Sequence, residues 1–218
     1  MVRSVRLLTH TRVENRKYPS SALQEAVEAI SSLPGVGPRS ALRLALHLLR
    51  QPATNIHHFA EAVGRLADDV HYCSNCMMLC DSDVCDICAD KTRDHNLICV
   101  VESVRDVMSI EATGQYHGVY HVLGGIISPI DGVAPSDLNI PRLVDRLRQA
   151  DAACTEVILA LSGDVEGETT AFYLYRQISS FGVKVSTLAR GLGFGDDLEY
   201  ADSLTLGRSI AARQPFNP

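Results

Sequence analysis

Apolar residues in the first third of the chain recur with the spacing of amphipathic helices. The pattern predicts a helix over 21–32 capped by Ser21, a second over 38–50, and a third over about 55–70 capped by Asn55. Pro38 suits the first turn of the second helix, because an N–H group there would have no intrahelical partner. The apolar faces expected for these helices comprise, in order, Leu23, Ala26, Val27 and Ile30; Leu42, Ala45, Leu46 and Leu49; and Phe59, Val63 and Leu66.

From residue 97 onward the pattern changes to short apolar runs separated by helical segments. Strands are predicted over 97–101, 119–123, 157–161 and 183–188, and helices over 104–113, 140–150 and 168–181. Strands that alternate with helices in this way form a parallel sheet with crossover helices. Asp137 is the expected cap of helix 140–150, and the tail 198–210 is expected to form another strand and a short helix. The predicted fold class is therefore α/β, preceded by a helical module.

Between these two regions lie four cysteines in a C-x2-C…C-x2-C arrangement: Cys73, Cys76, Cys85 and Cys88. Two such pairs can place four thiolates at the corners of a tetrahedron, which is the coordination that a closed structural zinc site requires. We therefore predict one structural zinc ion per chain and no chemistry at it. The alternative is two disulfides, which belong to oxidising compartments. Seven cysteines in a chain without a secretory signal favour a reducing cytoplasm instead.

Charge is distributed unevenly along the 218 residues. The formal net charge is −6, yet residues 1–50 contain eight Lys/Arg and only three acids. A basic N-terminal part on an acidic body predicts a polyanion site at one end, and the alternative is a solvated helix face with chance asymmetry. No apolar run reaches the length of a membrane span, so we expect a soluble globular protein without membrane contact.

The segment Leu33-Pro34-Gly35-Val36-Gly37-Pro38 separates the first two predicted helices. Gly35 and Gly37 allow the backbone to approach a neighbour closely, and the N–H groups that begin the next helix suit a phosphate. Arg39 and Arg43 lie one turn apart on that helix and project from the same face. The arrangement resembles the helix-hairpin-helix motif, which binds the DNA backbone without reading sequence. The alternative is an ordinary helix–helix turn.

Acidic residues follow two of the predicted strands. Glu102 ends the first strand, and Asp164, Glu166 and Glu168 follow the third. Loops at the carboxyl ends of parallel strands converge on the crevice where ligands bind, and carboxylates there can hold Mg²⁺. The pattern resembles the Toprim fold, except that Ser162 stands where the first Asp of its D-x-D loop would be. Two-metal chemistry is therefore not expected, and solvated acidic loops are the alternative.

The order of helix-hairpin-helix, four-cysteine module and Toprim-like domain resembles the RecR family of bacterial recombination mediators. The resemblance covers residues 18–212. The stretches that show it are 33–49, 73–88, 98–108, 120–132, 165–171 and 188–202. The departures are the N-terminal arm, Ser103-Val104 after Glu102, and Asp164.

This resemblance implies a non-enzymatic role in DNA repair and homologous recombination. Family members act with RecO, and in some settings RecF, in loading recombinase onto gapped or single-stranded DNA. They form dimers and ring-like tetramers thought to encircle DNA. By motif matching, Arg39 and Arg43 point into the ring, while Glu102 and Glu166, with Asp164 beside them, contact RecO. Location in the bacterial cytoplasm, at the nucleoid, is implied as well.

The sequence pattern and the resemblance together give the expected module boundaries. These are a flexible basic arm (1–17), a helix-hairpin-helix module (18–71), a zinc module (72–95), a Toprim-like domain (96–195) and an oligomerisation segment (196–218). Weak Mg²⁺ binding at the acids is compatible with this assignment. Two other functions stay open at this point: a Mg²⁺-dependent Toprim nuclease or primase-like enzyme, and a plain zinc-stabilised interaction module.

Overall fold

The computed structural model describes residues 18–149, 154–189, 191–192 and 197–211. The chain forms two compact units, of which the first ends at Asp68 and the second begins at Asp69. The predicted basic arm, residues 1–17, lies outside the described residues, and so does part of the predicted C-terminal segment. Across the described ranges, no helix is both long and apolar enough to cross a membrane.

The first unit contains the three predicted helices: α1 (Ser21–Ser31), α2 (Pro38–Leu48) and α3 (Ala53–Asp68). Helices α1 and α2 pack against each other around a small core of Val27, Ala41 and Ala45. Leu23, Ala26, Ile30, Val36 and Leu42 cover this core. The predicted apolar face of α1 is thereby confirmed.

The packing face of α2 differs from the predicted one by a rotation toward Ala41. Ala41 and Ala45 are 0% and 3% exposed, whereas Leu46 and Leu49 are 41% and 65% exposed. Two alanines one turn apart leave room for α1 to approach closely, and the longer leucines are thereby directed to solvent. Within a single copy of the chain, the prediction that Leu46 and Leu49 belong to the packing face is therefore wrong.

Two predicted caps in this unit are also wrong. Ser20, and not Ser21, is the N-cap of α1, and its side chain makes no capping bond. Helix α3 begins at Ala53, before the expected cap Asn55. None of the residues in α3 is buried, so its predicted apolar stripe, which comprises Phe59, Val63 and Leu66, faces solvent.

The second unit begins with a small module. Its strands β1 (His71–Tyr72) and β2 (Leu79–Cys80) pair in antiparallel fashion, and a short helix α4 (Asp86–Ala89) follows. The larger part then alternates strands and helices: β3 (Asp94–Val101), α5 (Val104–Glu111), β4 (Gly118–Val122), α6 (Ile140–Gln149), β5 (Glu156–Ala160), α7 (Val165–Ile178), β6 (Lys184–Thr187) and α8 (Ser203–Ala211).

The four longer strands form one parallel sheet in the order β4-β3-β5-β6. The chain passes from β3 to one neighbour, β4, and then crosses over to the other neighbour, β5. The carboxyl ends of β3 and β5 therefore flank the point where the strand order reverses, which is where ligands bind in open parallel sheets. The predicted α/β architecture is confirmed.

Each face of the sheet is buried by a different set of elements. Helices α6 and α7 cover one face, where the core includes Val100, Val119, Leu143, Val157 and Leu174. Helix α5 covers the other face together with Met77, Met78 and Ile87 of the small module, around a core of Cys99, Val101, Val107, Tyr120 and Val122. Burial on both faces explains why these strands appear as continuous apolar runs.

Several boundaries in this unit differ from the predicted ones. Asp137 does not cap α6; its carboxylate accepts from the Ala134 amide (2.9 Å), while the Asn139 carbonyl accepts from Leu143 (3.2 Å). Helix α7 begins at Val165 and not at Glu168, because Asp164 supplies its N-cap. In the described part of the tail, residues 198–200 form a turn in place of the predicted strand.

His121 is a polar residue inside this core. Its ring is fully buried on β4, and Nε2 donates to the carbonyl of Asn139 (3.0 Å). Nδ1 has no hydrogen-bond partner among the described residues. Burial and, to a smaller extent, the positive charges of Arg146 and Arg142 lower the pKa of His121 to about 4. The imidazole is therefore neutral at pH 7.

We predict that His121 makes the free energy of unfolding depend on pH. In the unfolded chain this histidine takes up a proton below about pH 6.5, whereas the folded protein takes it up only near pH 4. Stability from this group is thus lost as pH falls through that window. Between pH 7.5 and 5.5, urea unfolding of the zinc-loaded protein should lose about 1 kcal/mol more than the His121→Gln variant loses. Equal losses in the two proteins would contradict this assignment.

Candidate functional site

The four predicted zinc ligands lie together in the small module. Cys73 and Cys76 belong to the turn between β1 and β2, and Cys85 and Cys88 lie at the start of α4. Their four Sγ atoms are all within 4.8 Å of one another, and Cys76 Sγ is 3.5 Å from Cys85 Sγ. Four thiolates around one zinc at about 2.3 Å place neighbouring sulfurs about 3.8 Å apart, so the donor set fits this ion.

The surrounding backbone holds this arrangement. The Cys85 amide donates to Cys73 Sγ (3.3 Å), and the Cys73 amide donates to the Met78 carbonyl (2.7 Å). Burial raises the pKa of the Cys85 thiol to about 12, so its thiolate form requires a nearby cation. Cys80 lies outside the group, and its Sγ donates to the Ser82 carbonyl (2.8 Å).

The zinc module also covers an edge of the sheet. Strand β4 is an edge strand, and its Val122 amide donates to the Cys76 carbonyl (2.8 Å). Arg146 on α6 donates to the carbonyls of Tyr120 (2.7 Å) and Asn75 (3.4 Å). These bonds join β4 to the turn that carries Cys73 and Cys76, which we call the cysteine knuckle. Backbone groups that an edge strand would otherwise expose are thereby paired.

The glycine-rich segment in the first unit forms a type II turn. The Val36 amide donates to the Leu33 carbonyl (3.1 Å), and Gly35 has a φ of +79°, which the third residue of such a turn requires. Gly37 is then the extended N-cap of α2, with Pro38 in its first turn. The type II turn thus accounts for Pro34 and Gly35, and the start of α2 accounts for Gly37 and Pro38.

Arg39 and Arg43 are exposed on the first two turns of α2. Neither forms an ion pair within the described part of the chain. Among the described residues, no atom lies within 4 Å of the position that a Cβ at Gly35 or Gly37 would occupy. The turn and the two guanidinium groups can therefore accept an extended anion such as a nucleic-acid backbone.

The acids predicted at the carboxyl strand ends lie where the strand order reverses between β3 and β5, which we call the switch point. Each of them accepts hydrogen bonds from nearby groups of the chain. Glu102 Oε1 accepts a short hydrogen bond from the Ser162 amide at the end of β5. Asp164 caps α7 by accepting from the Gly167 amide (2.7 Å), and the Ser162 hydroxyl donates to it as well (3.0 Å). A side chain at Gly167 would collide with Ser162, so glycine is required for this approach.

Glu166 points toward a different segment. Its Oε1 accepts from the Ser128 hydroxyl (2.7 Å) in the loop that follows β4. The same loop is attached to α7 by a bond from the Ile127 amide to Thr170 Oγ1 (2.9 Å). Sequence reasoning missed Ser128, because no spacing rule relates residues that are 38 positions apart. Within the described ranges, the cysteines are the one group of three or more metal-ligating side chains that could hold an ion.

Comparison with known protein families agrees with this organisation. Family models match residues 23–66 (RecR, helix-hairpin-helix), 70–90 (RecR, four-cysteine zinc finger domain), 96–189 (Toprim domain) and 191–214 (RecR, C-terminal).

Individual relatives match over nearly their whole length. The chain is 53% identical over 203 residues to Recombination protein RecR of Parabacteroides distasonis, which covers 93% of this chain and 97% of the relative. It is 54% identical over 202 residues to the protein of that name from Porphyromonas gingivalis, with the same coverage. It is 51% identical over 200 residues to the one from Flavobacterium johnsoniae, which covers 92% and 96%.

We predict that replacing any one of the four ligand cysteines with serine removes the zinc and much of the solubility. Structural zinc contributes on the order of 10–16 kcal/mol in small peptides, enough to stabilise a module of this size. Cys80→Ser is the matched control, because Cys80 lies outside the group. Metal analysis of the purified variants checks the assignment, and equal zinc loss from Cys80→Ser and Cys85→Ser would overturn it.

Proposed function

Because the chain belongs to the RecR family of recombination proteins, we propose that it is a non-catalytic mediator of DNA repair by homologous recombination. In this proposal it binds DNA without sequence preference. With RecO and RecF it loads recombinase onto gapped or single-stranded DNA at the nucleoid, in the bacterial cytoplasm.

The observation that carries the proposal is the exposed pair Arg39 and Arg43 above the Gly35–Gly37 turn. Two guanidinium groups that pair with no acid in the described part of the chain can each neutralise a phosphate, and the first turn of α2 offers backbone N–H groups to the same DNA strand. Contacts of this kind position a protein on DNA but do not read bases. The basic N-terminal part of an otherwise acidic chain supports this placement of the DNA site.

The exposed apolar side chains of the first unit support self-association. Leu46 and Leu49 of α2, and Phe59, Val63 and Leu66 of α3, are between 41% and 66% exposed. We propose that a second copy covers them and that the chain assembles through dimers into a ring. Several weak phosphate sites in one ring then bind DNA together far more tightly than one site alone.

The acids at the switch point support a partner surface in this proposal. Glu102 and Asp164 are occupied by backbone amides, and Ser162 replaces an acid that a two-metal centre would need. A hard divalent cation would therefore bind only weakly. We propose that Glu102, Asp164 and Glu166 belong to the surface that binds RecO.

For DNA binding, we predict that Arg39→Ala combined with Arg43→Ala weakens binding to all sequences alike. Each lost phosphate contact should reduce the slope of log affinity against log salt by about one unit. Arg50→Ala is the control for the loss of a single positive charge, because Arg50 is exposed and lies beyond the opposite end of α2. Fluorescence anisotropy over a salt series measures both quantities. A double variant that binds like the parent at low salt would limit the hairpin to a structural role.

For the acids, we predict that Glu102→Ala and Glu166→Ala reduce RecO association but leave the zinc content unchanged. Glu102→Gln separates two effects, because its amide oxygen can still accept from Ser162 while the charge is gone. The parent protein, incubated with Mg²⁺ or Mn²⁺ and nicked, gapped or single-stranded DNA, should neither cleave nor extend it. Metal-dependent cleavage that disappears in Glu102→Ala would establish the Toprim nuclease function instead.

A further inference from the structure

The loop after β4 is fixed to the first turns of α7. The Ser128 hydroxyl donates to Glu166 Oε1 (2.7 Å), and the Ile127 amide donates to Thr170 Oγ1 (2.9 Å). Inside the loop, Ser128 and Val133 exchange backbone hydrogen bonds in both directions (2.8 and 3.1 Å). The loop therefore has a defined conformation against the helix.

This docked loop presents apolar side chains to solvent. Ile130 at its tip is 92% exposed, and Val165 in the first turn of α7 is 81% exposed. Two β-branched side chains at this level of exposure contribute nothing to the core and carry an unfavourable contact with water. Ile130 is two residues from Ser128, and Val165 is next to Glu166, so the Ser128–Glu166 bond brings the two positions to one surface. We call it the loop–helix surface: residues 126–133 and 164–168.

The charged residues within this surface have one sign. Every one of them is acidic: Asp131, Asp164, Glu166 and Glu168. A nucleic-acid backbone would be repelled here. A protein face with an apolar pocket bordered by Lys or Arg side chains is the complementary partner, since electrostatic complementarity guides encounter and buried apolar contacts supply affinity.

We propose that Ile130 and Val165 are the apolar anchor residues of the partner surface, and that they insert into an apolar pocket with a basic rim on the partner protein. This inference rests on the proposed function, which assigns partner binding to the neighbouring acids, but it adds the residues that supply affinity. It also changes the role of one acid. Glu166 is a positioning residue, because its carboxylate is engaged with Ser128 and holds the loop that presents Ile130.

The anchors are tested by binding of the full-length, zinc-loaded protein to RecO of the same organism, measured by calorimetry. Ile130→Ala and Val165→Ala should each weaken binding about fivefold to tenfold, as expected when a buried aliphatic contact is lost, and the double variant should weaken it at least about 30-fold. Met108→Ala is the matched control: Met108 is 62% exposed on α5, which covers the opposite face of the sheet, and its loss should leave the affinity within about twofold.

The possible results distinguish the anchor inference from the proposed function. If the parent binds RecO and the double variant binds it within twofold of the parent, the anchor inference is wrong and the proposed function stands. If the parent does not bind RecO at all, the partner assignment in the proposed function fails first. All three side chains are exposed, so the variants should keep the parent's zinc content and thermal unfolding midpoint.

The positioning role of Glu166 needs a separate comparison. Glu166→Gln keeps an oxygen that can accept from Ser128, so it should bind RecO within about threefold of the parent. Ser128→Ala and Glu166→Ala lose that bond and should both weaken RecO binding, and they should speed hydrogen exchange at the Val133 amide, which donates to the Ser128 carbonyl. If Glu166→Gln weakens binding as much as Glu166→Ala while Ser128→Ala binds like the parent, Glu166 contacts the partner directly through its charge.

Discussion

The hydrogen bond from the Val122 amide to the Cys76 carbonyl (2.8 Å) joins the zinc module to the edge of the sheet. Strand β4 is at the edge of a parallel sheet, so its outward backbone groups need partners. The cysteine knuckle supplies one, and Met77 and Met78 extend the core beside it. Strand β4 leads directly into the loop that ends at Val133, so the zinc module pairs the strand from which the proposed partner surface begins.

At the switch point between β3 and β5, two acids of the Toprim fold hold backbone groups. The Glu102 carboxylate accepts the Ser162 amide, and Asp164 caps α7, so both acids stabilise backbone at the crevice. Gly167 allows the helix to approach Ser162 closely enough for this arrangement. These hydrogen bonds give the crevice a defined backbone, and we propose that the surface around it binds a protein.

The sequence predicted what short-range chemistry controls. The four-cysteine spacing, the strand–helix alternation and the Gly35 turn each follow from local rules, and the structure agrees with all three. What it could not predict depends on contacts between distant residues. Whether Ala41 or Leu46 faces α1 depends on how closely two helices approach, and Glu166 meets Ser128 only because β5 and β4 flank the same strand. Helix caps failed for a related reason, since Asp137 had a closer backbone donor than the helix that it was expected to cap.

We propose that this chain mediates recombination by binding DNA and a partner protein through different residues, without catalysis. The most direct measurement is the rate at which recombinase assembles on gapped DNA coated with single-strand-binding protein, with RecO present. Adding the parent protein should accelerate assembly and leave the DNA intact, and neither the Arg39/Arg43 double variant nor the Ile130/Val165 double variant should accelerate it. An assembly rate that is the same with and without the parent protein would contradict the claim.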